Sequence, residues 1–149
     1  MRIWIDADAS PRDVKEIVFR ASARTGIPVT LVANKAMQVP LSALVSLVHV
    51  KGGPDVADDH IAQHAAAGDI AITADVPLAA RLVPKNVIAI DPRGALYDEE
   101  TIGERLSVRD FMADVRDAGG VTGGPSAYGP RDKQRFASAL DAALHRARR

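Results

Sequence analysis

The chain contains no cysteine. That absence removes disulfides, thiolate zinc sites and thiol nucleophiles at once, and leaves carboxylate and imidazole as the metal donors. It lacks a charge excess as well: Lys plus Arg number 19 and Asp plus Glu number 19. No global field holds it on nucleic acid or an anionic membrane, so any polyanion contact must be local. No apolar run reaches the roughly 18 residues of a membrane span, and Met1-Arg2 leads into Ile3-Trp4-Ile5 without a signal-peptide pattern. A soluble, cytoplasmic protein with no membrane partner is expected. At 149 residues the chain suffices for one domain, spanning 1–149, to bury its own core. Glutamate is scarce too: fifteen acids are Asp and four are Glu, although Glu is the better helix former. Acids chosen in this way serve caps, turns or metal sites.

Short apolar runs alternate with amphipathic stretches, the pattern of βαβ units around a mainly parallel sheet. Strands are expected at Ile3–Ile5, Val29–Ala33, Leu44–Val50, Ile70–Thr73 and Val87–Ile90. Ser10-Pro11 reads as an N-cap with proline at the first helical position, opening a helix to about Thr25 that Gly26 ends. Further helices are expected at about Asp55–Ala67 and Pro77–Val83, and from Asp98 with a break near Ser107. Phe111, Met112, Val115 and Ala118 mark the buried side of that last stretch. Gly119 to Pro130 is a glycine-rich loop, and Arg131 to about Arg148 is a terminal helix with Phe136, Leu140 and Leu144 on one face. The fold class expected is α/β, a three-layer arrangement of about five strands with C-terminal helices.

Asp6 and Asp8 follow the first strand, Asp75 the fourth and Asp91 the fifth. In a parallel sheet all strand carboxyl ends share one edge, so these acids converge. Asp55, Asp58 and Asp59 open the helix after the third strand, at that same edge, with i, i+3 and i+4 sharing a face. Each Asp alone reads equally as a helix cap, Asp55 and Asp75 above all. As a set, converging carboxylates raise one another's pKa, a cost that a divalent cation relieves. Hard oxygen donors without Cys or His suit Mg²⁺ or Mn²⁺. His60 and His64 stand four apart on a helix, but an HExxH pattern is missing. His49 and His145 carry no motif, Trp4 reads as core, and Arg146, Arg148 and Arg149 complement a helix dipole.

Several of these stretches resemble one family. They are Asp6-Ala7-Asp8-Ala9-Ser10-Pro11, Gly53-Pro54-Asp55-Val56-Ala57-Asp58-Asp59-His60-Ile61, Gly68 through Thr73-Ala74-Asp75 to Pro77-Leu78-Ala79, and Pro92-Arg93-Gly94. Later come Arg109-Asp110-Phe111-Met112, Thr122-Gly123-Gly124-Pro125 and Arg131-Asp132-Lys133-Gln134-Arg135-Phe136-Ala137. In order and spacing they look like the YaiI/YqxD family of bacterial proteins over essentially the whole chain. That pattern is in turn similar to the PIN-like nuclease superfamily. There an Asp follows the first strand, an acid sits in a helix three before an apolar residue, and Thr-x-Asp follows the fourth strand. Asp6, Asp58 before Ile61, and Thr73-Ala74-Asp75 match those positions here. One departure is Ser10, where the family usually carries Cys.

The resemblance implies a single PIN-like domain and a Mg²⁺- or Mn²⁺-dependent nuclease acting on RNA or on single-stranded or structured nucleic acid. Asp6, Asp58 and Asp75 would be its catalytic carboxylates, with Asp8, Asp59 and Asp91 as additional metal ligands. Ser10, Arg93, Arg109, Arg131 and Lys133 are the candidate substrate contacts, joined by Arg135. Two alternatives stay open. One is a phosphatase of the haloacid dehalogenase type using Asp6 and Asp8, for which a paired acid at a later strand end with the usual Lys before it is missing, Asp58-Asp59 falling in a helix after Pro54. The other is a metal- or RNA-binding module without turnover.

Overall fold

The computed structural model describes residues 1–108 and 127–147. Five strands, β1 (Ile3–Asp6), β2 (Val29–Ala33), β3 (Val45–His49), β4 (Ile70–Ile72) and β5 (Ile88–Ile90), form one sheet in the order β3-β2-β1-β4-β5. All pair in parallel, with Ile3 opposite both Val29 and Ile70, and Ile70 opposite Ile88. Sheets of this kind are covered on both faces, which is why the central strands read as unbroken apolar runs. β1, β2 and β4 are buried along their full length.

The helices are α1 (Arg12–Thr25), α2 (Pro54–His64), α3 (Val76–Leu82), α4 (residues 102–108 as described) and α5 (Pro130–Ala147). Val14, Val18 and Ala21 of α1 and Phe136, Leu140 and Leu144 of α5 pack with Ile3, Ile5, Leu31 and Ile72 in one core. Ala57, Ile61 and Ala62 of α2 and Leu78 and Leu82 of α3 pack on the other face, against Trp4, Val32 and Ala71. Strand residues alternate between faces, so Ile3 and Ile5 point to α1 and α5, while Trp4, and Asp6 after it, belong to the side of α2 and α3. That parity aims Asp6 at the helix that carries Asp58.

Local signals account for most boundaries, and two differ from expectation. Ser10 does not cap α1: its Oγ donates to the Asp6 carbonyl at 2.8 Å, closing a 3-10 turn over Ala7–Ala9, and Pro11 is the capping residue. Pro11 sits at φ −60, ψ 154, extended backbone outside the helix. α2 ends at His64, short of Ala67, because the Asp69 carboxylate accepts the Ala66 N–H at 2.9 Å and turns the chain into β4. Ser107 lies within the helical residues 102–108, its Oγ donating to the Gly103 carbonyl at 3.1 Å, and the residues from 109 on, where a break near Ser107 would show, lie outside the described residues. The expected continuation through Phe111, Met112, Val115 and Ala118, and most of the glycine-rich loop, lie outside the described residues, as do Arg148 and Arg149.

Trp4 is core, 7% exposed, and its indole Nε1 donates to Asp69 Oδ2 at 3.1 Å. Asp69 Oδ1 also accepts the Arg2 N–H at 3.0 Å. This acid therefore belongs to the amino-terminal edge of the sheet and knits β1 to β4. Gly94, at φ +93 in the turn after β5, brings that turn against α5: a Cβ there would stand 2.6 Å from the Arg135 carbonyl carbon. Among the described residues, no helix is long and apolar enough to cross a membrane.

Candidate active site

The sheet order reverses between β1 and β4, whose connections leave in opposite directions. A crevice opens at such a point, outside the strand carboxyl ends. A cleft of about 560 Å³ lies there, lined by Asp6, Asp8, Asp58 and Asp75, by Asn34 and Lys35, and by small residues. Asp6 is the last residue of β1 and is 7% exposed. Its Oδ2 accepts from Thr73 Oγ1 at 3.0 Å, and Thr73 Oγ1 itself accepts the Asp75 N–H at 2.9 Å. Asp75 in turn caps α3, its Oδ1 accepting the Leu78 N–H at 2.9 Å. The cap reading of Asp75 thus holds alongside its place in the cleft, whereas Asp55 makes no such bond and Gly53 stands at the N-cap of α2.

The cleft is electrostatically loaded. Burial raises the Asp6 carboxyl above its ordinary range, the Thr73 hydroxyl opposes the rise, and the Asp75 and Asp8 charges add to it. Asp58, half-buried on α2, is pushed up to about 7, by burial first, then by the charges of Asp75 and Asp6 and by a hydrogen bond shared with Asp75. None of these three carboxylates forms an ion pair among the described residues. The donor set is chemically suited to a hard cation such as Mg²⁺ or Mn²⁺. It is not assembled for one: no group of three or more His, Asp or Glu side chains among the described residues is arranged to hold a metal ion as it stands. Asp75 Oδ1 is committed to the Leu78 N–H and Asp6 Oδ2 to the Thr73 hydroxyl.

With this geometry in view, comparison with known proteins decides the family. The model of the family described as "Uncharacterized BCR, YaiI/YqxD family" matches residues 4–146. The chain belongs to the YaiI/YqxD family. It is 59% identical over 146 residues to a UPF0178 protein of Trichlorobacter lovleyi, covering 98% of this chain and 95% of the relative. A UPF0178 protein of Geobacter sulfurreducens is 57% identical over 147 residues, covering 98% of this chain and 97% of the relative. One of Myxococcus xanthus is 53% identical over 146 residues, covering 98% and 95%. No solved structure matches the chain.

The remaining candidates of this YaiI/YqxD chain are dispersed. Asp8 lines the cleft, but its Oδ2 accepts the Asn34 N–H at 2.6 Å and its Oδ1 the Lys35 N–H at 3.4 Å. Asp59 turns to α3, where Arg81 Nη1 donates to it at 2.6 Å. Asp91 accepts the Arg93 N–H at 2.7 Å and the Tyr97 hydroxyl at 3.4 Å, with Arg105 at 3.8 Å. It belongs to a brace in which the buried Tyr97 hydroxyl, 3.2 Å from the Thr73 carbonyl, supports the residue that holds Asp6. Ser10 spends its hydroxyl on the Asp6 backbone. Arg93, whose Nη1 donates to Asp132 at 3.0 Å, lines a separate groove with Arg131 and Arg135. Lys133 is on α5 and does not line the cleft; Arg109 lies outside the described residues.

The His60 and His64 rings stack at 4.1 Å beside Trp4, and burial, then His64, lowers the His60 pKa. His64 Nδ1 meets the His60 carbonyl at 2.8 Å, so the pair is tied to its own helix. Asn34 and Lys35 are the cleft residues that the sequence reading passes over. They directly follow β2, the position that singles out Asp6 and Asp75, and only their reading as a connection hides them.

Proposed function

We propose that this chain is a cytoplasmic, divalent-cation-dependent phosphodiesterase of the PIN-like type, acting on RNA or on single-stranded or structured nucleic acid. The observation that carries this reading is the meeting of Asp6, Asp58 and Asp75 in one cleft at the point where the strand order reverses. Mg²⁺ or Mn²⁺ would be held by those carboxylates, after the side chains adjust, and when bound would activate water and stabilise charge on the attacked phosphate.

The chain's own part is positioning. Thr73 holds Asp6 in one orientation by its hydroxyl, and the Leu78 N–H fixes Asp75. Asp58 is the adjustable member: with a pKa of about 7 its carboxyl gives up a proton close to neutrality and shares a hydrogen bond with Asp75 until it does. The test is cleavage of single-stranded RNA in Mn²⁺ by the parent and by Asp75→Asn. Asn caps a helix about as well as Asp, so the variant should fold normally and lose cleavage. A parent inactive on RNA but active on a chromogenic phosphate monoester would replace this reading with the phosphatase one. RNA bound without turnover would replace it with a binding module.

A further inference from the structure

The cleft is not acidic throughout. Asn34 and Lys35, directly after β2, line it as well. Lys35 is exposed and no acid among the described residues pairs with its ammonium. Asn34 is held at three points: its N–H donates to Asp8, its carbonyl meets His49 Nε2 at 2.8 Å, and its Oδ1 accepts the Gly53 N–H at 3.0 Å. Because that last partner is a donor, Oδ1 is assigned as the acceptor and the amide Nδ2 has no partner among the described residues. Two donors without a partner among the described residues therefore line the same cleft as three carboxylates. The other lining residues include Ala9, Ala57, Gly53 and Ala74, whose side chains are small or absent.

We propose that Lys35 and Asn34 form a phosphate subsite of this cleft, and that Asp8 is its positioning residue and not a metal ligand. The Asp8 carboxylate spans the backbone N–H groups of Asn34 and Lys35 and so sets where both donors stand. An acidic centre alone repels a polyanion; an ammonium and an amide lining the same cleft give a neighbouring phosphate of the same strand an electrostatic seat. The cleft's volume, about 560 Å³, falls in the range of small-ligand pockets and leaves room for the sugar and base between two phosphates. This inference rests on reading the cleft as a phosphodiester site.

The experiment measures binding of a short fluorescein-labelled single-stranded RNA in Ca²⁺ buffer, across a salt series, for the parent, Lys35→Ala, Asp8→Asn and the double variant. Thermal melts of each with and without Mn²⁺ accompany it. Lys35→Ala should weaken binding about tenfold and flatten the slope of log affinity against log salt by about 0.7, one single-strand phosphate contact. Asp8→Asn should weaken binding through the Lys35 and Asn34 contacts together, so the loss in the double variant falls short of the sum of the two single losses. Both single variants should keep the parent's melting response to Mn²⁺.

Unchanged affinity and salt slope in Lys35→Ala, or a parent that does not bind the RNA, overturns the subsite. Loss of the Mn²⁺ response in Asp8→Asn, or additive losses in the double variant, returns Asp8 to the metal ligands and overturns its positioning role. A parent that binds RNA through Lys35 but does not respond to Mn²⁺ supports the subsite while contradicting the proposed function.

Discussion

Replacing Asp58 by Asn should stabilise the cation-free protein, and only above a definite pH. Burial, then the charges of Asp75 and Asp6, lift the Asp58 carboxyl from an ordinary 3.8 to about 7. The folded state therefore keeps a proton that the unfolded state releases, and folding stability falls as pH rises through that interval. Below about pH 4 both states are protonated and Asn, the shape of the protonated acid, changes little. Above about pH 7 both states are ionised, the penalty is complete, and Asn removes it. At about 1.4 kcal/mol per pH unit the full interval corresponds to about 4 kcal/mol. Asp58 is only half-buried, so screening by water brings the expected gain to about 1–2 kcal/mol. Urea unfolding of parent and variant in EDTA, from pH 4 to 9, measures it. The two should coincide near pH 4 and separate to a plateau above neutrality. A difference that does not vary with pH, or a less stable variant at pH 8, would refute the reasoning that the cleft carboxylates repel one another.

Three other changes test one support of the cleft and two of the fold around it. Thr73→Val removes the donor to Asp6 and the acceptor of the Asp75 N–H; it should cost about 1–3 kcal/mol and raise the Asp6 pKa further, read by denaturant unfolding and by carboxylate NMR titration. Asp69→Ala strips the Arg2, Trp4 and Ala66 donors of their common acceptor; a loss of about 3 kcal/mol should accompany a changed emission of Trp4, the chain's one tryptophan. Gly94→Ala places a Cβ 2.6 Å from the Arg135 backbone at φ +93; it should lower stability by more than about 1 kcal/mol, and a melting temperature equal to the parent's would show that the turn yields.

Why some of this was legible and some not follows from particular residues. Asp6 and Asp75 announce themselves because they sit where an apolar run stops, and a parallel sheet gathers those stops on one edge. Asp58 follows from helical spacing and the same edge. The layer order was legible in the same way, from Val14 and Val18 on α1 and Phe136 and Leu140 on α5. What periodicity does not carry is the partner of a polar side chain. Asp59 turns outward because Arg81, twenty-two residues on, meets it. Asp8 bonds to backbone N–H groups at the end of another strand, and Asp91 is enlisted by Tyr97 and Arg105. Each depends on a tertiary contact that one sequence does not display. The arginines of α5 and the β5 turn face a groove of their own, because Gly94 presses that turn onto α5 and not toward the cleft.

The central claim is that Asp6, Asp58 and Asp75 together make a divalent-cation centre. A crystal structure of the protein grown with Mn²⁺ at pH 8, with anomalous data collected at the manganese edge, tests it most directly. The account predicts anomalous density in the cleft within about 2–2.5 Å of carboxylate oxygens from all three, with Asp8 still turned to the Asn34 and Lys35 backbone. Density elsewhere, or a cleft without manganese while the three carboxylates remain as they stand in the cation-free protein, would contradict it.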